Sequence, residues 1–244
     1  MKILAIDTAT EACSAALYID GEAINSGITT QYQLAPRQHS RLILQMADDL
    51  LKQAAISINA LDAIAFGRGP GSFMGLRIAA GVVQGIAFAH ELPVIPVSTL
   101  KTMAQRVYQE TGNSHVLAAI DARMDEVYWA AYTMQDQRWC LHGAESVISP
   151  DNVILPEMPV QSGENQSDPL WVGAGTGWSS YKDRLLLAAD CQLSLILPEC
   201  FPSAEAMVKL AAIEFAAGNT VLAAEAIPVY LRNDVAKKPK PVTL

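Results

Sequence analysis

"KILAIDTATEACSAALYIDGEAINSGITT", residues 2–30, decides the fold. "KILAID" is a short apolar run that suits a central strand. "ACSAALYI" and "EAINSGIT" flank Asp20-Gly21, a strong hairpin-turn dipeptide, so three strands are expected here. The order then restarts. "HVLAAIDARMDEVYWAAYTM", from His115, gives an apolar strand, an aspartate, and a β-branched and aromatic run, and "QDQRWCLHGAESVI" continues as a further strand. The echo of "ILAID" in "LAAID", each followed by a hairpin and helices, points to a duplicated α/β unit. The expected division is residues 1–113, residues 114–232, and a weakly ordered basic tail at 233–244 carrying Lys237, Lys238 and Lys240.

Between the two strand sets, a helix is expected from about Pro36 to Ala55. Its polar residues Arg41, Gln45, Asp48 and Lys52 recur at helical spacing, and Ile43, Met46, Ala47, Leu50, Leu51 and Ala54 form a broad apolar face. The strand "DAIAF", a glycine loop, a helix from about Leu76 to His90, the strand "PVIPV" and a helix opening at Ser98 follow. Beyond residue 150, the stretch 151–168 reads as irregular, "WVGAGTGW" as strand then loop, and helices are expected near 178–189 and 203–217.

The glycine loop "GRGPGSFMGLR", 67–77, raises the question of what approaches it so closely. It matches neither phosphate fingerprint. A P-loop wants glycine, four residues, then Gly-Lys-Ser/Thr, but the sixth residue from Gly67 is Ser72 and no lysine is near. A tight strand-to-helix turn is the simpler reading. Ser72 does not stand in a G-x-S-x-G elbow. His39 lacks a second ligand at Ile43, so no metal site is expected.

The helix after the loop is the informative one. Between Leu76 and Ala89 only Arg77 and Gln84 are polar. A helix apolar on every side must be covered on every side. Its small residues Ala79, Ala80, Gly81, Gly85, Ala87 and Ala89 would let another helix come close, so a docking surface is expected beside the 36–55 helix.

The totals bound the reading. With 244 residues, 51% hydrophobic and 17% charged, the chain can bury a substantial core, and its formal charge of −8 disfavours unaided nucleic-acid binding. The cysteines Cys13, Cys140, Cys191 and Cys200 show no metal or disulfide spacing. No signal-peptide pattern and no uninterrupted apolar run long enough for a bilayer is read, so a reducing, cytoplasmic home is expected.

Six blocks in order carry a resemblance: "KILAIDTATEACSAAL", "GRGPGSFMGLRIAAGVVQGIAF", "VSTLKTMA", "VLAAIDARMDEVYWA", "VGAGTGW" and "PVYLRN". From residue 1 to about 235 the chain resembles the TsaB (YeaZ) family, which serves bacterial synthesis of threonylcarbamoyladenosine in tRNA. The resemblance implies a two-lobed actin-like ATPase fold, of the ribonuclease-H-like, sugar-kinase and heat-shock ATPase type, with mixed sheets. It implies a non-catalytic subunit that pairs with the catalytic subunit TsaD and the ATPase TsaE, reaches tRNA only through that complex, forms a homodimer when isolated, and needs no cofactor and no membrane. The partner interface implied is the pair of helices above, with Ile43, Ala47, Leu50, Leu76, Ala79, Ala80, Val83, Gly85 and Ala87. A vestigial nucleotide site is expected at Asp7, Thr8, Thr10, Gly173 and Gly175. Actin-like ATPases use D-x-G-[ST] and D-x-G-G in their phosphate turns, whereas this chain has Asp7-Thr8-Ala9-Thr10 and Asp121-Ala122-Arg123-Met124. The rival expectation is a stand-alone actin-like phosphotransferase or a peptidase-like enzyme.

Overall fold

The computed structural model describes residues 1–21, 26–155 and 170–232. The expected tail, with its three lysines, most of the 151–168 stretch and residues 22–25 of the first hairpin lie outside them.

The first five strands are β1 (Lys2–Asp7), β2 (Ala12–Ile19), β3 (Gly27–Leu34), β4 (Ala63–Gly69) and β5 (Val94–Ser98), in spatial order β3-β2-β1-β4-β5. The hairpin strands run antiparallel, while β4 and β5 join parallel to β1. The second set repeats this plan. β6 (His115–Arg123), β7 (Glu126–Gln135), β8 (Arg138–Ile148), β9 (Trp171–Ala174) and β10 (Leu193–Leu197) stand in the order β10-β9-β6-β7-β8, with β9 and β10 parallel to β6. Two copies of this mixed sheet are the two lobes of the actin-like fold, as the duplicated strand-aspartate pattern anticipated.

The helices fill the layers around the sheets. α1 (His39–Gln53) and α2 (Phe73–His90) cover one face of the first sheet. α3 (Thr99–Thr111) and α6 (Ala204–Ala216) lie between the two sheets, and α4 (Thr176–Ser180) and α5 (Lys182–Ala189) cover the far face of the second. Each central strand is buried on both sides. Ile3 and Ala5 face the middle layer while Leu4 and Ile6 face α1 and α2. Three serines start three helices: Ser72, Ser98 and Ser203 accept backbone N–H groups of Gly75, Lys101 and Ala206. The helix expected from Leu76 therefore begins three residues earlier, at Phe73, and the one expected over 178–189 breaks at Tyr181 into α4 and α5.

The chain also crosses back. α6 follows the second sheet in sequence but packs on β1 and β2 of the first, and Val221 forms an antiparallel bridge with Val94. Across the lobes, the Arg68 guanidinium on β4 reaches the Glu145 carboxylate on β8 at 3.3 Å. Glu145 also accepts the hydroxyls of Tyr132, at 2.6 Å, and of Ser98. Burial, and the Glu145 charge beside it, push the Tyr132 hydroxyl well above the usual phenol range. Glu145→Ala would strand a half-buried cation and two buried hydroxyls, so a loss of about 2 kcal/mol is expected in urea unfolding.

Candidate functional site

A cleft of about 830 Å³ separates the lobes, large enough for a nucleotide-sized ligand. Its walls come from the turn after β1 (Ala9, Thr10, Glu11), the loop before α1 (Pro36, Arg37, His39), the start of α2 (Ser72, Phe73), and the β6–β7 turn (Asp121 to Met124). Thr176, Ser179 and Ser180 close the second-lobe side, and residues 229–232 cross the mouth.

The expected nucleotide residues do not converge in it. Asp7 and Thr8 are fully buried. The Thr8 hydroxyl donates to the Gly75 carbonyl at 2.7 Å, and Ser72 N–H donates to the Ala9 carbonyl at 2.7 Å. A Cβ on Gly75 would run into the Thr8 carbonyl, and one on Gly67 into the Asp7 carboxylate. What approaches the glycine loop is thus the chain's own turn at 7–9. Gly173 is likewise covered: a Cβ there would stand 2.7 Å from the Trp178 ring. Gly175, at φ +105, abuts the Ala119 carbonyl. Of the five vestigial residues, Thr10 alone lines the cleft, while Thr176, beside Gly175, is a cleft residue that sequence reasoning passed over.

The two aspartates also part company. Asp7 points toward the middle layer, beside Gly67 and Met207, whereas Asp121 points to α4 and accepts the Ser180 hydroxyl at 3.2 Å. Asp121 further accepts the Arg123 N–H and pairs with its guanidinium at 3.0 Å. Arg123, Met124 and Asp125 all have left-handed φ, at 62, 58 and 63, and Arg184 clamps Asp125. This turn, where a phosphate loop would want glycines, carries side chains in left-handed backbone and is tied at Asp125 by Arg184.

Among the described residues Asp7 is the one buried carboxylate without a full set of partners: Oδ1 accepts Ala9 N–H, and Oδ2 has none. Burial pushes its carboxyl up from 3.8 to about 7. The folded chain therefore keeps a proton that the unfolded chain loses, and stability falls as pH rises from about 4 to about 7, then levels. The expected fall is on the order of 3 kcal/mol in urea titrations at the two ends of that window, and Asp7→Asn removes it.

His39 is buried and its Nε2 lies 3.2 Å from the Ala12 carbonyl. No group of three His, Cys, Asp or Glu able to hold a metal occurs among the described residues.

The expected interface residues need correction. Ile43, Ala47, Leu50, Leu76, Ala79, Ala80, Val83 and Ala87 are all buried, packed on the first sheet or the loop beside it; of the nine named, Gly85 alone is exposed. The apolar stripe of an amphipathic helix is the one its own core takes first. The outward side of α2 is made instead of Met74, Arg77, Gly81, Gly85 and Phe88, flanked by half-buried Ile78, Val82 and Ile86. Phe88 is 81% exposed and Met74 64%. Nothing lies within 4 Å of a Cβ built on Gly81 or Gly85. By length and composition α2, at 18 residues and a mean hydropathy of 1.3, could cross a membrane, although Arg77 and Gln84 interrupt its apolar run; it lies packed along the sheet with a third of it buried.

A chain of two repeated mixed sheets with a cleft between them, the actin-like plan, is the class that fold and cleft define. Comparison with known proteins supplies the family. The family model described as "TsaD: tRNA N6-adenosine threonylcarbamoyltransferase" matches residues 24–239. The tRNA threonylcarbamoyladenosine biosynthesis protein TsaB of Escherichia coli K12 is 46% identical, over 99% of both chains. That of Haemophilus influenzae is 38% identical, over 99% of this chain and 98% of its own. The solved YeaZ of Pseudomonas aeruginosa superposes with a TM-score of 0.81 at 42% identity, covering 94% of this chain and all of its own. The chain belongs to the TsaB family of tRNA threonylcarbamoyladenosine biosynthesis proteins.

Proposed function

We propose that the chain is a non-catalytic subunit of the machinery that places threonylcarbamoyl on the adenosine beside the tRNA anticodon. In this reading it docks a TsaD-like catalytic subunit through the outward face of α2 and the adjoining side of α1, works with a TsaE-like ATPase, and meets tRNA only in the assembly, in the cytoplasm. The observation that carries it is the outer face of α2, where two glycines, three half-buried aliphatics, Met74 and Phe88 make a largely apolar strip, broken only by Arg77, on a chain of net charge −8. Such a strip is what a close-packing helix pair needs, and exposed patches of this kind mark interaction sites. When isolated, the chain is expected to cover the strip with a second copy.

The non-catalytic reading is supported by the two phosphate turns, where Ala9, and Arg123 with Met124, stand in place of the glycines of D-x-G-[ST] and D-x-G-G. Isothermal calorimetry of the lone chain with ATP and Mg²⁺ is expected to show no binding tighter than millimolar. Micromolar binding with turnover would instead favour a stand-alone actin-like phosphotransferase.

A further inference from the structure

The block "PVYLRN" lies outside the helices and the phosphate turns, yet residues 226–232 are fastened at both ends. On the first lobe, Gln84 of α2 donates to the Ala226 carbonyl at 3.2 Å, and Val229 N–H donates to the Arg68 carbonyl at 2.7 Å. Gly69, at φ +111, leaves room for that approach, since a Cβ there would stand 2.7 Å from the Val229 carbonyl. The Tyr230 hydroxyl accepts from Arg77 at 3.1 Å, and its ring lies 5.5 Å from that of Phe73, over which Arg77 also stacks. Two residues on, Arg232 crosses to the second lobe. It pairs with Glu126 at 2.5 Å and donates to the Arg123 carbonyl at 3.2 Å, in the left-handed turn at the cleft mouth. Its side chain is only 15% exposed, so the pair is shielded from solvent more than a surface bridge.

We propose that residues 226–232 are an interlobe brace, anchored on α2 by Tyr230 and on the β6–β7 turn by Arg232, that fixes the width of the cleft. A strap thus spans the cleft opening, and Arg68, whose carbonyl it binds on the first lobe, is the residue whose guanidinium holds Glu145 of the second lobe. The brace itself ends in one ion pair to the second lobe, Arg232–Glu126. It holds the two lobes at a fixed spacing, and its Tyr230 anchor shares Arg77 with the outward side of α2.

The test is a charge swap read by distance. Spin labels at Gln53→Cys on α1 and Asp183→Cys on α5, with Cys140 and Cys191 replaced by serine, report lobe separation by pulsed dipolar spectroscopy on the full chain. Arg232→Glu and Glu126→Arg alone are each expected to broaden the distance distribution at least twofold, and the double variant to restore the narrow one. Hydrogen exchange across 120–127 should rise about tenfold in each single variant and fall back in the double. If Arg232→Glu lowers the folded fraction by circular dichroism, Arg232→Gln serves in its place. Single variants with the wild-type distance distribution and exchange overturn the brace. So do single variants that broaden both without recovery in the double, because that outcome assigns the loosening to lost packing and not to the pair.

Discussion

Gly75→Ala is expected to cost about 5 kcal/mol or more, enough to leave little folded chain at room temperature. The position lies in the first turn of α2, and a methyl there is driven into the Thr8 carbonyl. That oxygen is backbone at the end of β1, a central strand buried on both faces, so it cannot swing aside as a side chain would. Relief would require moving the turn at 7–9, which also breaks the bonds from Thr8 to the Gly75 carbonyl and from Ser72 N–H to the Ala9 carbonyl. The first is buried, and each lost bond adds about a kilocalorie or more. The control is Gly81→Ala in the same helix, where nothing stands within 4 Å and alanine's better helix propensity should add up to about 1 kcal/mol. Urea unfolding of the pair separates the readings. Equal midpoints for both variants would show that the loop tolerates a Cβ, and the account of why the glycines are there would fail.

That contrast shows where sequence reading succeeds. The doubled sheet was legible because central strands leave a short-range mark: "ILAID" and "LAAID" are apolar on both faces and each is followed at once by hairpin-forming residues. The tight strand-to-helix turn was legible from glycine spacing, though what filled it was not, since Thr8 and Gly75 are far apart in sequence and their contact leaves no local pattern. The same limit hid β10, a short strand with Leu195 outward, and the return of α6 to the first sheet. Aligned on their aspartates, the two echoing strands look equivalent, yet Asp7 turns to the middle layer and Asp121 to α4. A one-residue difference in which face a strand presents is invisible when both faces are apolar.

Helix α2 shows the limit most plainly. Periodicity finds a face only when the other face differs, and α2 is apolar nearly throughout. Leu76, Ala79, Ala80, Val83 and Ala87 follow one stripe; Arg77, Gly81, Gly85 and Phe88 follow the opposite one. The signal that distinguishes them is Arg77. A lone arginine in an apolar helix marks the side away from the core, and the glycines four and eight residues on share that side.

From that side comes the largest functional effect. Gly85→Glu is expected to weaken association with a TsaD-like subunit about a thousandfold, or about 4 kcal/mol, while the circular dichroism of the lone chain stays that of wild type and its urea midpoint loses only the part that depends on chain concentration. The new side chain meets open space in the isolated chain, so folding has little reason to suffer. In an assembled helix pair it would stand where two backbones come closest, and its carboxylate would be buried without a partner. Stranding a charge in that way costs 3–5 kcal/mol. The same change should turn an isolated homodimer into a monomer in sedimentation, because one face serves both pairings. Leu187→Glu, at an 84% exposed position on α5 of the other lobe, controls for added charge and should leave association within twofold. Ala80→Arg, by contrast, is a poor probe, because Ala80 is 4% exposed and an arginine there attacks the fold before it meets any partner. If Gly85→Glu binds the catalytic subunit as tightly as the wild type, the outer strip of α2 is not the docking surface. The apolar face would then need another reason to stand open to water.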